Sequence, residues 1–348
     1  MKRILALILC MVVCLSVMTA CGSEPANNTA KPAGTETPAE AADGTETPAE
    51  TTADIDWPKK TIELLCPYSA GGDSDTFLRA AATVLGRELG VNVVVTNLGG
   101  NTVGVLRETN ANEADGYTVM YYNSTLLAKQ ATGATEELTI TDDFIPAGSI
   151  AYDATYAVMV RTDSGFTTMA DIVSFLKENP KKLSFAISNK AATHYLMLAL
   201  QDATGVEFNG IDAGSDNATR TLSLLSGEVD VILGNYANFA DYITDGQLTC
   251  LGIMAAERNP ALPDVPTLVE QGIDVEYTKY YSFRFKNGTD QAIVDKFTEA
   301  LSKVQNDEDF RRIVESYIGV VNFQTPEEQQ EHDTWAVADQ EKYWAALE

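Results

Sequence analysis

Histidine is nearly missing from this 348-residue chain: His194 and His332 are its only two. Neither has a second histidine or a cysteine at metal-ligand spacing, so no histidine- or cysteine-held metal centre is expected. Glycine is present but not in nucleotide-binding order, since no G-x-G-x-x-G and no G-K-[ST] occurs. A G-x-S-x-G nucleophile elbow is missing too, and the acids show no pairing that points to a glycosidase. The chain therefore does not read as an enzyme, and nothing calls for a cofactor. Basic residues are scarce: 24 Lys and Arg stand against 50 Asp and Glu, a formal net charge of −26. That deficit excludes a nucleic-acid partner, because such binding rests on Lys and Arg neutralising phosphates. It does not exclude a small anion. Surface charges more than about 8 Å away are largely screened at physiological salt, so donors lining a cleft outweigh the global field.

The N-terminus carries the one long apolar run. Lys2 and Arg3 precede Ile4 to Val17, a stretch that is almost wholly apolar and shorter than the about 20 residues a membrane-spanning helix needs. It closes on Val17-Met18-Thr19-Ala20-Cys21, small residues directly before a cysteine. This is a secretory signal over residues 1–20. The closing cysteine resembles a bacterial lipobox, which implies lipidation of Cys21 and anchoring to the extracytoplasmic side of the cell membrane. From Gly22 to Asp56 the chain is mostly Thr, Glu, Pro, Ala and Gly, with a tandem repeat, Gly34-Thr-Glu-Thr-Pro-Ala-Glu40 and Gly44-Thr-Glu-Thr-Pro-Ala-Glu50. Such a segment has too little apolar surface to offset its ordering entropy, so residues 21–56 are expected to form a lipidated, disordered spacer. Of five cysteines, Cys10 and Cys14 fall in the signal, and Cys66 and Cys250 remain inside apolar runs. A disulfide is permitted outside the cytoplasm, but separate small buried hydrophobes are expected here.

A globular body begins near Trp57 and is long enough for two domains. Strand-like runs are Ile62–Cys66, Val91–Thr96, Tyr117–Tyr122, Tyr156–Arg161, Leu183–Ile187, Val206–Ile211, Val229–Leu233, Leu248–Ile253 and Tyr280–Phe285. Helical spacing separates them, as in Phe77, Leu78, Ala81, Leu85, Leu89. A second helix holds Ile172, Phe175 and Leu176, entered through Thr167-Thr168 and stopped by Asn179-Pro180. Alternating β and α predicts parallel sheets covered by helices, an α/β fold, with a nearly all-helical stretch from Thr289 onward.

Open α/β sheets bind ligands outside the carboxyl ends of their strands. The best loop of that kind is Pro67-Tyr-Ser-Ala-Gly-Gly-Asp-Ser-Asp75. Its Gly71-Gly72 pair permits close backbone approach, and the helix after it offers free N–H groups to an anion. Asn97-Leu-Gly-Gly-Asn101, Asn123-Ser124-Thr125, Ser188-Asn-Lys-Ala-Ala-Thr-His194 and Gly234-Asn-Tyr236 are further small, polar strand ends suited to converging on one cleft. His194 reads as a structural histidine at a helix start.

Trp57-Pro58 followed by a strand and this loop resembles the opening of the solute-binding proteins of tripartite tricarboxylate transporters, the Bug-type receptors. Ala114-Asp-Gly-Tyr-Thr118, Thr193-His194 and Leu225-Ser-Gly-Glu-Val-Asp230 resemble further family words. Asn259-Pro-Ala-Leu-Pro-Asp-Val-Pro-Thr-Leu-Val-Glu-Gln-Gly272 is the nearest match. The resemblance implies a type II periplasmic-binding fold, with two α/β lobes, a two-stranded hinge and a cleft between them. Lobe one would take 57–150 plus 276–348 and lobe two 151–275. It also implies a mono- or dicarboxylate ligand, membrane permease subunits as partners, and a monomer. Carried onto matching positions, the ligand residues are Tyr68, Ser69, Ala70, Gly71, Gly72 and Asp75, with Asn123 and Ser124. Lobe two would add Asn189, Lys190, Ala191 and Thr193, with Asn235 and Tyr236.

The chain departs from the family pattern in Ser188-Asn-Lys-Ala-Ala, in Leu233-Gly-Asn-Tyr236 and in Tyr280-Tyr-Ser-Phe-Arg-Phe-Lys286. Lys190, the inserted cation, could pair with a second ligand carboxylate or be a solvated loop lysine, and Arg220 on the next helix is the other candidate. Two alternatives stand beside transport: a sensory receptor of the same fold, and an extracytoplasmic α/β enzyme.

Overall fold

The computed structural model describes residues 55–345, apart from 136, 215 and 216. The signal, Cys21 and nearly all of the spacer lie outside the described residues. The first half of the body runs β1 (Ile62–Cys66), α1 (Asp73–Leu89), β2 (Val93–Asn97), α2 (Gly104–Ala111), β3 (Thr118–Asn123), α3 (Ser124–Ala131), α4 (Ile140–Asp143) and β4 (Phe144–Asp153). Next come β5 (Tyr156–Arg161), α5 (Met169–Glu178), β6 (Ser184–Ile187), α6 (Ala192–Thr204), β7 (Asn209–Asp212), α7 (Asn217–Ser226), β8 (Val231–Asn235), α8 (Ala240–Thr244) and β9 (Leu248–Ile253). The last part holds β10 (Lys279–Lys286), α9 (Gln291–Val304), α10 (Glu308–Ser316), β11 (Val320–Gln324) and α11 (Pro326–Ala345).

Local sequence explains the helices. In α1 the spaced Phe77, Leu78, Ala81 and Leu85 are all buried, and Gly90 closes the helix in the left-handed region at φ 71°. In α5 the Thr168 side chain accepts from the Asp171 amide and Asp171 reciprocates, a capping box. The helix ends at Asn179, before Pro180, because the residue before proline disfavours helical backbone.

Two sheets form, ordered β11-β4-β10-β3-β1-β2 and β7-β6-β8-β5-β9. Both are mixed, which corrects the expectation of parallel sheets. β1 pairs parallel with β2 and β3, whereas β10 runs antiparallel to β3 and β4. In the second sheet β6 is parallel to β7 and β8, and β5 is antiparallel to β8 and β9. The reversal follows from topology: β5 and β10 each enter a sheet directly from the other one, with no crossover helix to turn them parallel. β11 likewise corrects the all-helical tail; five residues pairing only at an edge leave a weak periodic signal. β4 had no counterpart among the sequence runs, since Pro146 and Gly148 dilute its β-branched content. Its partners β10 and β11 decide it. Val206 and Phe208 are buried against the core, but the strand there is the shorter, exposed β7.

The chain passes from the first sheet to the second through Ala154-Thr155 and returns just before Lys279, which pairs with Asp153. α11 packs on β4 and α3 and also on α6, where the Tyr195 hydroxyl donates to Asp339 at 2.8 Å. A buried polar knot fastens α11 to the first sheet. Arg284, fully buried, donates to Tyr122 Oη (2.9 Å), the Phe144 carbonyl (3.0 Å), Gln330 Oε1 (2.8 Å) and Asp333 Oδ2 (2.8 Å). Cys66 and Cys250 are both free thiols, and burial pushes each up to about 11.

Candidate functional site

The loop after β1 is held in place by side chains of its own helix and of β2. Asp75 Oδ2 accepts from the Gly71 amide (2.9 Å) and from Arg79 Nε (3.1 Å), while Oδ1 accepts from Asn97 Nδ2 (2.9 Å). Burial alone would raise the Asp75 carboxyl, but Arg79, the Gly71 amide and Asn97 outweigh it and hold it below the usual range. Asp75 is therefore a fastening group. Gly71 has φ 91° and both Gly71 and Gly72 would project a Cβ into open space. Ser69, Ala70, Gly71 and Gly72 are exposed, so this loop offers bare backbone at the mouth of α1.

That mouth already carries negative charge. Asp73 Oδ1 accepts from the Ser74 amide (2.7 Å), and Oδ2 accepts from Lys279 Nζ (2.5 Å) and the Tyr281 hydroxyl (2.6 Å). Burial works against this carboxylate, yet the Lys279 charge and these hydrogen bonds bring it down to about 2. Beside it, Asn123 caps α3 by accepting from the Thr125 amide (2.9 Å) and donates to Ser74 Oγ (3.0 Å). The Asn123 amide donates to Tyr68 Oη (2.9 Å), and Ser124 Oγ donates to the Thr278 carbonyl (3.1 Å). Tyr68, Asn123 and Ser124 thus tie the carboxyl ends of β1 and β3 to the returning chain.

Lys279 joins the two sheets. From the start of β10 its ammonium reaches Asp73 in the first layer and Asn235 Oδ1 (3.4 Å), at the end of β8 in the second. Burial lowers its proton affinity, but Asp73 and Asp153 more than restore it, so Lys279 stays a cation. Asp153 accepts from the amide and hydroxyl of Thr155 at 2.7 and 2.6 Å. It is buried deeply enough to be pushed upward despite Lys279. Next to Asn235, the Tyr236 amide donates to the Thr155 carbonyl (3.0 Å), which sets Asn235 and Tyr236 against the crossing. Lys279 was not among the sequence-derived candidates. Its signal was a cation at the first position of a strand rich in aromatics, at the return crossing.

The lobe-two loop is placed differently from its neighbours. Thr193 is buried, and its hydroxyl accepts from the Ser188 amide (2.8 Å); Ala191 is buried beside it. Asn189 and Lys190 are exposed, and Lys190 takes left-handed backbone at φ 51°. Its amide donates to His194 Nδ1 at 3.3 Å, and His194 packs edge-on against Trp344. Burial lowers the His194 pKa, with Asp212 opposing. That places His194 as a structural group between a turn and α11.

Arg220 is the other cation of this region. It is 4 % exposed. One terminal nitrogen donates to the Gly214 carbonyl (3.1 Å) and the other to Asn217 Oδ1 (3.4 Å), while its buried Nε finds no acceptor among the described residues. Burial raises the Tyr156 phenol, and the charges of Arg220 and Lys279 both oppose that rise. Both cations therefore act on one buried ring, whose residue pairs with Asn235 across β5 and β8.

A cavity along α11 begins at Ser124 and Thr278 and is lined further by Tyr195, Glu276, Tyr280, His332, Trp335 and Asp339. Its lining has two carboxylates and no Lys or Arg, so an anion would find no counter-charge there. Among the described residues no group of three or more metal-ligating side chains is assembled, and no helix is long and apolar enough to cross a membrane.

Two mixed α/β sheets joined by two crossings, with polar strand ends gathered at the junction, make the type II periplasmic-binding fold of solute-binding proteins. The chain belongs to the tripartite tricarboxylate transporter family receptor group, whose model matches residues 77–347. BugT of Bordetella pertussis is 27 % identical over 247 residues, covering 68 % of this chain and 74 % of BugT. A TctC solute-binding protein from Polaromonas, solved without ligand, superposes with TM-score 0.70 at 26 % identity, over 82 % of this chain and 98 % of its own. MatC from Rhodopseudomonas palustris, solved with bound malate, has TM-score 0.70 at 20 % identity, over 83 % of this chain and 100 % of its own. The family is one of transporter receptors, and this chain is a receptor of that kind and not an enzyme.

Proposed function

We propose that this receptor captures a small organic anion, a mono- or dicarboxylate, and delivers it to the permease subunits of a tripartite transporter. It acts as a monomer tethered by lipid on Cys21 to the extracytoplasmic side of the cell membrane, with residues 22–56 as the spacer. The two sheets serve as lobes that close on the ligand, hinged at the 154–155 crossing and at the return before Lys279. Tyr68 to Gly72, Asn123-Ser124, Asn189 to Thr193 and Asn235-Tyr236 border the cleft.

The observation that carries this reading is Lys279, a buried ammonium at the return crossing that touches groups of both sheets. Its ammonium ties Asp73 at the mouth of α1 to Asn235 at the end of β8, so the polar strand ends of both sheets converge on one junction where a small anion can be enclosed. Malate bound to MatC supports the carboxylate class by analogy of fold.

The test is mass spectrometry of small molecules released from the receptor purified from its native host, with uptake assays in cells lacking it. A stoichiometric organic acid is expected, and its uptake should fail without the receptor and return with the full chain. A neutral or cationic solute as the stoichiometric ligand would overturn the anion reading. Normal uptake without the receptor would overturn the transport role.

A further inference from the structure

The cleft region holds two buried cations, and they are not equivalent. Lys279 is already neutralised: Asp73 lies 2.5 Å from its ammonium. Arg220 is also buried, yet among the described residues its partners are a carbonyl and an amide oxygen, and its Nε has none. Among the described residues no carboxylate pairs with it. Buried charges are ordinarily paired, because desolvating an ion without compensation is costly. A guanidinium is also suited to a planar carboxylate, which it grips through two parallel N–H groups.

We infer that Arg220 is the anion anchor of the receptor, its guanidinium taking one carboxylate of the bound organic acid as its missing counter-ion. The inference rests on the carboxylate-receptor reading and adds to it which side chain determines specificity. Position supports the assignment. Arg220 starts its reach from the first turns of α7 and is braced by Asn217, whose Oδ1 would lie 2.6 Å from a Cβ at Gly234. That brings the Arg220 brace to the end of β8, one residue from Asn235, which Lys279 contacts. Bracing by Asn217 and Gly214 leaves the Nε edge as the unsatisfied donor. The ligand's carboxylate then restores charge balance in the second sheet, as Asp73 does for Lys279 in the first. A closed, ligand-bound state is favoured because only then is the buried guanidinium paired.

The test measures binding of malate, succinate, adipate and citrate, with succinamide as an uncharged comparison, by calorimetry on the parent, Arg220→Met and Arg220→Lys. The melting temperature of each ligand-free protein is recorded as well. The parent is expected to bind at least one acid and not succinamide. Arg220→Met should weaken that acid by about 100-fold, the range for truncating one member of a desolvated charge pair. Arg220→Lys, which keeps charge but loses the fork, should fall between. Because an unpaired buried charge does not stabilise the empty protein, the ligand-free melting temperature of Arg220→Met should be no lower than the parent's, within about 3 °C. Unchanged affinity in either variant overturns the inference and leaves the receptor reading intact. A parent that binds none of the acids overturns both. If Arg220→Met does not fold, Arg220→Lys decides by the same comparison; failure of both to fold marks the guanidinium as structural and overturns the inference.

Discussion

Lys279 Nζ and Asp73 Oδ2 lie 2.5 Å apart, joining the first residue of the return strand to the first turn of α1, 206 residues earlier. The pair does two things at once. It supplies the negative group that suits a helix N-terminus, and it neutralises a lysine buried where the two sheets meet. A ligand anion arriving at α1 therefore meets an occupied helix mouth.

The Asp73 carboxyl sits at about 2 in the folded protein against its ordinary 3.8. A depressed carboxylate contributes stability above its unfolded value and loses it as pH falls through the folded one. The unfolding free energy of the parent should exceed that of Asp73→Asn above about pH 4, with the gap closing as pH falls toward about 2. Urea titrations at several pH values check this; a gap that does not change with pH would show that the carboxylate's charge is not what matters. Asp73 is partly exposed, its side chain at 29 %, so solvent screening keeps the gap modest.

Gly71 and Gly72 should separate under substitution. Gly71→Ala places a side chain at φ 91° and should cost about 1–2 kcal/mol in urea unfolding. Gly72 has φ −79° and no atom within 4 Å of a built Cβ, so Gly72→Val should leave stability within about 0.5 kcal/mol of the parent. Its binding of the co-purified acid should nevertheless be abolished, because the branched side chain occupies the space the backbone offers to ligand. Calorimetry with unchanged affinity would remove this loop from the binding surface.

The knot beneath α11 should be the stability hot spot of the first sheet. Arg284 and Asp333 are 0 % and 1 % exposed. Removing one partner leaves an unpaired buried charge, so Asp333→Ala should destabilise by about 3–5 kcal/mol. Arg284→Met with Asp333→Leu together should recover much of that loss. Chemical denaturation of the two variants reads both effects, and full stability in the single variant would contradict the network.

Membrane attachment should depend on Cys21 alone. Cys21→Ser is expected to shift the protein from the membrane fraction to the soluble extracytoplasmic fraction, or to stall signal processing. Fractionation that finds the variant processed and still membrane-bound would exclude lipid anchoring at this residue.

The words that revealed the family turn out to build the scaffold. Gly116 of Ala114-Asp-Gly-Tyr-Thr118 sits where a Cβ would come within 2.3 Å of Ile293 and 3.2 Å of the Trp57 ring. Asp230 accepts from the amide and hydroxyl of Ser184 at 2.8 and 2.6 Å, clamping β6 beside β8. Gln271, near the end of the longest match, donates to the Leu251 carbonyl (2.8 Å) and accepts from the Met169 amide (3.1 Å). Such residues are readable in sequence because each answers a local demand: a turn, a cap, a close approach, a strand edge. Helices α1 and α5 and strands β1, β5 and β9 were legible for the same reason, their period and punctuation lying within a few consecutive residues.

Other features depend on chain segments that meet only after folding. Strand β4 exists because β10 and β11 flank it, and the direction of β5 and β10 is decided by how the chain crosses between sheets. The charged groups at the site obey the same rule. Lys190 reads from sequence as either a partner for a second ligand carboxylate or a solvated loop lysine, and the fold sets it exposed on a left-handed turn. Lys279 looked like the start of an aromatic strand, yet the fold buries it against Asp73 and Asn235. Electrostatic role follows from burial and from which opposite charge lies within a few ångströms. By itself the sequence determined the α/β class and the family, since these rest on local pattern. That Lys279 is neutralised by Asp73, while Arg220 meets no carboxylate among the described residues, was decided by tertiary structure alone, because charge compensation depends on distances in space, here between residues 206 positions apart.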